Sequence, residues 1–277
     1  MLFRSNPLCR EIWHEGLRLP PLKLFEKGER RREVWDWLAA NNRLPDLLQA
    51  DVEAMIGACR VGEARIRELV NRYGLEKVEQ SLEWIFSYSE RSFREQIRQW
   101  PDGSYCAEFF VDTDYADHRD LKIRVTVTID GDRMVLDFSG TDPQTDGLVN
   151  SVRANTIAYV CVVFSVLCPE IPINSGFFEP LTLILPEGTL VNATSPVATV
   201  LGTIVVGGQI GQAVMKACEQ FVPERVGNAS IDPAHTYVIG SDERVQRFQT
   251  HSKKNAKLFV FFDIYMEIGR ASCRERV

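Results

Sequence analysis

The 277-residue sequence has little of what usually gives a function away. Its seven cysteines are scattered, with no Cys-x-x-Cys, so neither a zinc ribbon nor a redox pair is present, and thiols such as Cys9, Cys59, Cys106, Cys161, Cys168 and Cys218 read as buried and reduced. The four histidines, His14, His118, His235 and His251, form no pair at metal-ligand spacing. No Gly-x-x-x-x-Gly-Lys-Ser/Thr occurs, and the glycines at 202, 207, 208 and 211 do not match a dinucleotide fingerprint. Basic residues are outnumbered, 32 Lys+Arg against 38 Asp+Glu for a net charge of −6, which argues against nucleic acid and anionic membrane surfaces as partners. The longest apolar stretch, Ile157 to Cys168 broken only by Ser165, falls short of the roughly 20 residues that span a bilayer. What remains is an ordinary globular composition, 45% apolar and 25% charged, long enough to bury a core without disulfides or a structural metal.

Both ends read as foreign. Leu2-Phe3-Arg4-Ser5 and Glu267-Ile268-Gly269-Arg270 are translations of the two strands of one short oligonucleotide, and Ala271 to Val277 continues the second reading. The pattern resembles sequencing-adapter read-through, so residues 1–5 and 267–277 are set aside as an expected artefact and the fold is read from residues 6–266. The acidic balance survives their removal.

Between those ends the expected class is mixed, α+β with α/β character: an N-terminal helical segment over 6–100, then over 101–266 an antiparallel β-hairpin region followed by alternating strands and helices. Three helices are predicted: Glu29 to Asn41; Pro45 to Tyr73, with Pro45 suited to a first turn and Gly74 as the stop; and Leu75 to Ile97. At Pro101-Asp102-Gly103 the apolar period changes from 3.6 to 2. Leu121, Ile123, Val125, Val127 and Ile129 alternate with Lys122, Arg124, Thr126 and Thr128, Asp130-Gly131 turns, and Arg133 to Phe138 returns, with Ser104 to Asp112 as a third strand. A helix over Asn150 to Leu167, a strand over Leu181 to Leu185, an extended β-branched stretch over Val197 to Val206 and a helix from Gln209 to about Phe221 follow. Val34, Leu48, Met55, Ile66, Leu82, Ile85, Ile123, Val125, Phe138, Tyr159, Phe164 and Leu183 are the expected core.

Chemistry-bearing residues collect in loops. His14 lies between Glu11 and Glu15, a pair of carboxylates able to do acid/base work or simply to be solvated. Asp137-Phe138-Ser139-Gly140-Thr141-Asp142 puts carboxylates and hydroxyls at a strand end before a helix, where side chains meet ligands or satisfy turn and cap donors.

Taken in order, the segments Glu11 to Leu24 (EIWHEGLRLPPLKL), Ala58 to Glu63, Leu136 to Asn150 (LDFSGTDPQTDGLVN), Pro169 to Pro180 (PEIPINSGFFEP), Pro186-Glu187-Gly188 and Gly207-Gly208-Gln209 resemble the hydantoinase B/oxoprolinase family. The resemblance runs from Asn6 to Met266. It implies a subunit of an ATP-dependent cyclic-amide hydrolase, opening 5-oxoproline or a hydantoin, in a cytoplasmic hetero-oligomer with a hydantoinase A-type subunit that binds the ATP. An acetone or acetophenone carboxylase-type subunit and a non-catalytic assembly scaffold are the alternatives. Substrate-binding candidates are Glu11, Glu15, Asp137, Ser139, Thr141, Asn150 and Asn174, with no catalytic residue assigned. The family's Asn-Asp-Pro-Tyr and His-His motifs have no counterpart here, so the divalent metal implied for a full-length protein is left without ligands, and the segment alone is expected to be inactive.

Overall fold

The computed structural model describes residues 9–226 and the backbones of two further strands, Pro233–Ser241 and Leu258–Met266, which pair with each other. The termini set aside above lie outside the described residues. The chain resolves into two compact units, one containing Leu17–Ser81, the other residues 9–16 and 82–226.

The first unit opens with a two-residue hairpin, β1 (Phe25–Glu26) and β2 (Glu29–Arg30), turned by Lys27 and Gly28, both at positive φ. This corrects the expected helix from Glu29. Pairing of Glu29 and Arg30 with Phe25 and Glu26 takes the backbone that helix would need, so α1 begins only at Arg32 and runs to Ala40. Trp35 is its buried residue, its indole donating to the Leu24 carbonyl at 3.2 Å while the Arg30 guanidinium lies 3.8 Å over the ring. Helix α2 spans Pro45–Tyr73, with the proline in its first turn, and stops where Gly74 turns to positive φ. It buries none of its 29 residues.

Helix α3 (Leu75–Ile97) begins in the first unit and ends in the second. Its last turns bury Ser89, Phe93, Gln96 and Ile97. Phe93 stacks on Phe177 at 4.2 Å and meets Trp100 and Phe164 edge-on. Beside that face Arg94 bonds Glu90 at 2.8 Å and reaches Asp132.

The second unit is built on β3 (Gly103–Thr113), β4 (Arg119–Asp130) and β5 (Arg133–Asp137), an antiparallel meander, with β6 (Leu181–Ile184) added parallel to β5. The parallel addition requires a crossover, made by α4 (Arg153–Leu167) and the short α5 (Ser175–Phe178). Because one sheet face is wet, β4 alternates strictly: Leu121, Ile123, Val125, Val127 and Ile129 are buried, while the residues between them carry charge or hydroxyl groups, including Arg124 opposite Glu108 at 3.6 Å. Helix α6 (Gly207–Cys218) covers the buried face, packing on β3, β4 and α4.

Val197–Val206 is not a continuous strand: Val197 makes only an isolated bridge. Gly202–Val206 winds into a π-helical turn continuous with α6, because Gly202 and Gly207 allow backbone approaches that a side chain would block: a Cβ at Gly202 would meet the Asn150 carbonyl, and one at Gly207 the Tyr159 ring. The expected core divides in the same way. Ile123, Val125, Phe138 and Phe164 are buried and Val34, Leu48, Tyr159 and Leu183 half-buried, but Met55, Ile66, Leu82 and Ile85 are exposed.

Candidate functional site

In a parallel pair both carboxyl ends point the same way, and ligands of open α/β sheets bind just beyond such ends. Here β5 ends at Asp137 and β6 at Ile184, opposite one another in register, and the Phe138 amide extends the ladder by donating to the Ile184 carbonyl at 3.0 Å. Asp137 Oδ1 accepts the Ser139 amide at 2.8 Å, which folds the chain back at Gly140, a residue at positive φ. Asp137 Oδ2 and the exposed Ser139 hydroxyl take no hydrogen-bond partner among the described residues.

Beyond that turn the loop is stitched down. Thr141, 7% exposed, accepts the Arg124 amide at 3.1 Å and donates to the Arg124 carbonyl at 3.0 Å, while Asp142 accepts the Lys122 amide at 2.7 Å. These two residues complete the edge of β4 where β5 has left it. Asn150 is fully buried and its amide is consumed internally: Oδ1 accepts from the Thr145 amide, and Nδ2 lies within bonding distance of the Thr145, Gly147 and Ala198 carbonyls. The loop is also tied to residues 186–192 through Gln144 to Gly188 and Leu190 to Asp142.

The N-terminal carboxylates are tied to residues 197–200, the segment that the Asn150 amide also reaches. Residues Ile12–Glu15 form a 3₁₀ turn, Glu11 bridges Val197, and the half-buried Glu15 accepts the backbone amides of Thr199 and Val200 and the Thr199 hydroxyl. His14 Nδ1 accepts the Arg10 amide at 3.2 Å and the Glu11 amide at 3.4 Å, which leaves Nε2 as the protonated nitrogen of the neutral ring. Asn174 stands apart from the other six candidates. It precedes β6, at the opposite end of the strand from Ile184, where it caps α5 by accepting the Gly176 amide at 2.9 Å and donates to the Ser89 hydroxyl at 2.8 Å.

The sequence reading passed over Asp114. Its carboxylate is fully buried, accepting from the Ala116 amide at 2.8 Å, the His118 amide at 3.1 Å and the His118 ring at 2.8 Å. Burial alone would raise this carboxyl, but those donors, with the Thr145 hydroxyl, outweigh it and hold the group below its ordinary value. The signal was available as an Asp and a His four residues apart in the β3–β4 turn. Among the described residues no three His, Cys, Asp or Glu side chains converge as a metal ion requires. No described helix is long and apolar enough to cross a membrane.

The family model for hydantoinase B/oxoprolinase matches residues 4–264, and the chain belongs to that family. It is 36% identical over 228 residues to the B subunit of a putative D-/L-hydantoinase of Pseudomonas sp. (strain NS671), covering 78% of this chain and 38% of the relative. It is 33% identical over 243 residues to the beta subunit of the caprolactamase of Pseudomonas jessenii, covering 86% and 41%. The crystal structure of the ATP-dependent caprolactamase from Pseudomonas jessenii superposes with a TM-score of 0.79 at 30% identity, over 92% of this chain and 43% of that one. The chain therefore spans about two fifths of the length of these curated relatives.

Proposed function

We propose that this chain supplies the loop platform on which an ATP-activated cyclic amide, of the 5-oxoproline or hydantoin type, is opened. The observation that carries the reading is the unpartnered carboxylate oxygen of Asp137 beside the free hydroxyl of Ser139, at the carboxyl end of the parallel pair β5–β6. A lactam carbonyl is resonance-stabilised. Phosphorylation of its oxygen in a hydantoinase A-type, ATP-binding partner makes the carbon electrophilic; water adds to it, the ring C–N bond breaks as the nitrogen takes up a proton and leaves an acyl phosphate, and a second water then hydrolyses that acyl phosphate to carboxylate and phosphate. In this scheme Asp137 accepts the ring N–H and Ser139 donates to an oxygen of the substrate, while Glu15, Thr141 and Asn150 hold the surrounding loops in place. The reading includes a cytoplasmic hetero-oligomer, and it draws support from relatives named as hydantoinase and caprolactamase subunits.

The test uses the family-length gene product with its partner. Asp137→Ala and Ser139→Ala should each lower ATP-dependent hydrolysis of 5-oxoproline or hydantoin at least tenfold while the complex still assembles. Unchanged turnover with weakened assembly would establish a scaffold instead. Bicarbonate-dependent consumption of a ketone, without lactam hydrolysis, would establish the carboxylase alternative.

A further inference from the structure

Helix α3 carries an apolar sector much wider than one packing surface needs. At 100° per residue, Trp84, Tyr88, Ile85, Leu82 and Phe86 fall within roughly 200° of the helix circumference, against the ~100° stripe of an ordinary surface helix. All five are between 40% and 61% exposed, and Trp84 and Tyr88 stack on each other at 5.4 Å. The polar remainder of that helix surface, Glu83, Ser87, Glu90, Arg91 and Arg94, lies on the other side, with Arg94 bonded to Glu90 and Asp132. Toward the C-terminus one flank of the same sector becomes core, where Ser89, Phe93, Gln96 and Ile97 are buried.

We infer that the Leu82–Tyr88 surface is an uncovered portion of the second unit's own core, and that its occupant is further polypeptide of a family-length chain rather than a separate subunit or a second copy. Two observations select that occupant. The first is continuity: within one or two helical turns the exposed sector passes into Ser89 and Phe93, which the second unit already buries. The second is length, since more than half of each relative lies outside the region matched here. In the first unit, helix α2 shows the same condition by itself: it buries no residue and exposes Met55, Ile66 and Leu69.

The experiment places Leu82→Cys and Ile85→Cys separately in the family-length subunit and measures maleimide labelling in native buffer and in urea. The inference predicts labelling at least tenfold slower in native buffer with the isolated subunit, at all protein concentrations. Rapid labelling of the isolated subunit overturns it, whether or not adding the partner subunit then slows the reaction. Protection that disappears on dilution assigns the surface to a second copy and overturns it equally. Acrylamide quenching of Trp84 fluorescence, taken as the difference between wild type and Trp84→Phe, decides the question if the cysteine variants do not fold: weak quenching supports the inference and free quenching overturns it.

Discussion

Glu15 and Val200, 185 positions apart in the chain, are joined by a 2.8 Å hydrogen bond from the Val200 amide to the Glu15 carboxylate. The Thr199 amide and hydroxyl converge on the same carboxylate, so one side chain fixes the loop that leads into the π-helical turn and α6. Backbone donors to a charged acceptor contribute about 1.5–3 kcal/mol, and a partner left unsatisfied costs a comparable amount. Glu15→Ala should therefore destabilise the family-length protein by about 2–3 kcal/mol, whereas Glu15→Gln, which keeps an acceptor oxygen, should lose less than half of that. Denaturant unfolding of the two variants decides the matter, and equal losses would show that the hydrogen bonds contribute little.

This tie could not have been read from the sequence. Glu11 and Glu15 stand out as carboxylates beside a histidine, but the donors that claim Glu15 come from a loop far along the chain, and only the fold brings them near. By contrast, β4 is legible because one face of its sheet is wet, so burial and charge alternate at period two. The limits of α2 were equally legible from Pro45 and Gly74. Periodicity shows which face of a helix is apolar and nothing about what covers it, which is why Met55, Ile66, Leu82 and Ile85 read as core and stand exposed. The stretch before α6 misled for another reason: Thr203, Ile204, Val205 and Val206 favour strands intrinsically, but two close glycine approaches hold them in a helical turn.

Those glycine approaches give a second prediction. A methyl at Gly207 would enter the Tyr159 ring, and one at Gly202 would press on the Asn150 carbonyl, a backbone atom with no freedom to give way. Overpacking of this kind costs about 1–3 kcal/mol. Gly202→Ala should be the more damaging, since Tyr159 is a half-buried side chain that can turn aside after losing its bond to the Thr203 carbonyl. Thermal melts of the two variants should show that order; the reverse order would mean that the Tyr159 contact is the more rigid one.

Acid should release the β3–β4 turn. Asp114 is held below its ordinary carboxyl value of 3.8 in the folded chain, so its contribution to stability is fully present above that value and is lost as pH falls below it through the lower, folded one. Asp114→Asn should be less stable at neutral pH and should lose less stability than wild type on acidification below about pH 4. The comparison isolates this group from the other carboxylates, and parallel pH profiles for the two proteins would refute it.

Thiol chemistry should separate the cysteines by burial. Burial pushes the Cys168 thiol up to about 12 and raises Cys218 as well, so neither forms thiolate near neutrality, whereas Cys106 is exposed on β3. Native labelling at pH 8 followed by peptide mapping should modify Cys106 and spare Cys168 and Cys218. Modification of Cys218 at a rate close to that of Cys106 would mean that α6 lifts readily from the sheet it covers.

The final expectation concerns the 277 residues expressed on their own. Helix α2 buries none of its side chains, and α3 exposes Leu82, Trp84, Ile85, Phe86 and Tyr88, so apolar surface that a longer chain or a partner would cover meets water. Contiguous exposed patches beyond a few hundred Å² mark interaction sites in native proteins and aggregation sites in truncated ones. The isolated product should therefore bind a hydrophobic dye such as ANS and form soluble aggregates whose size grows with concentration. Replacing Leu82, Ile85 and Phe86 together with Ser, Glu and Gln should reduce both effects. A monodisperse monomer with one sharp thermal transition would contradict the expectation, because it would show that this helical surface is stable in water without a covering element.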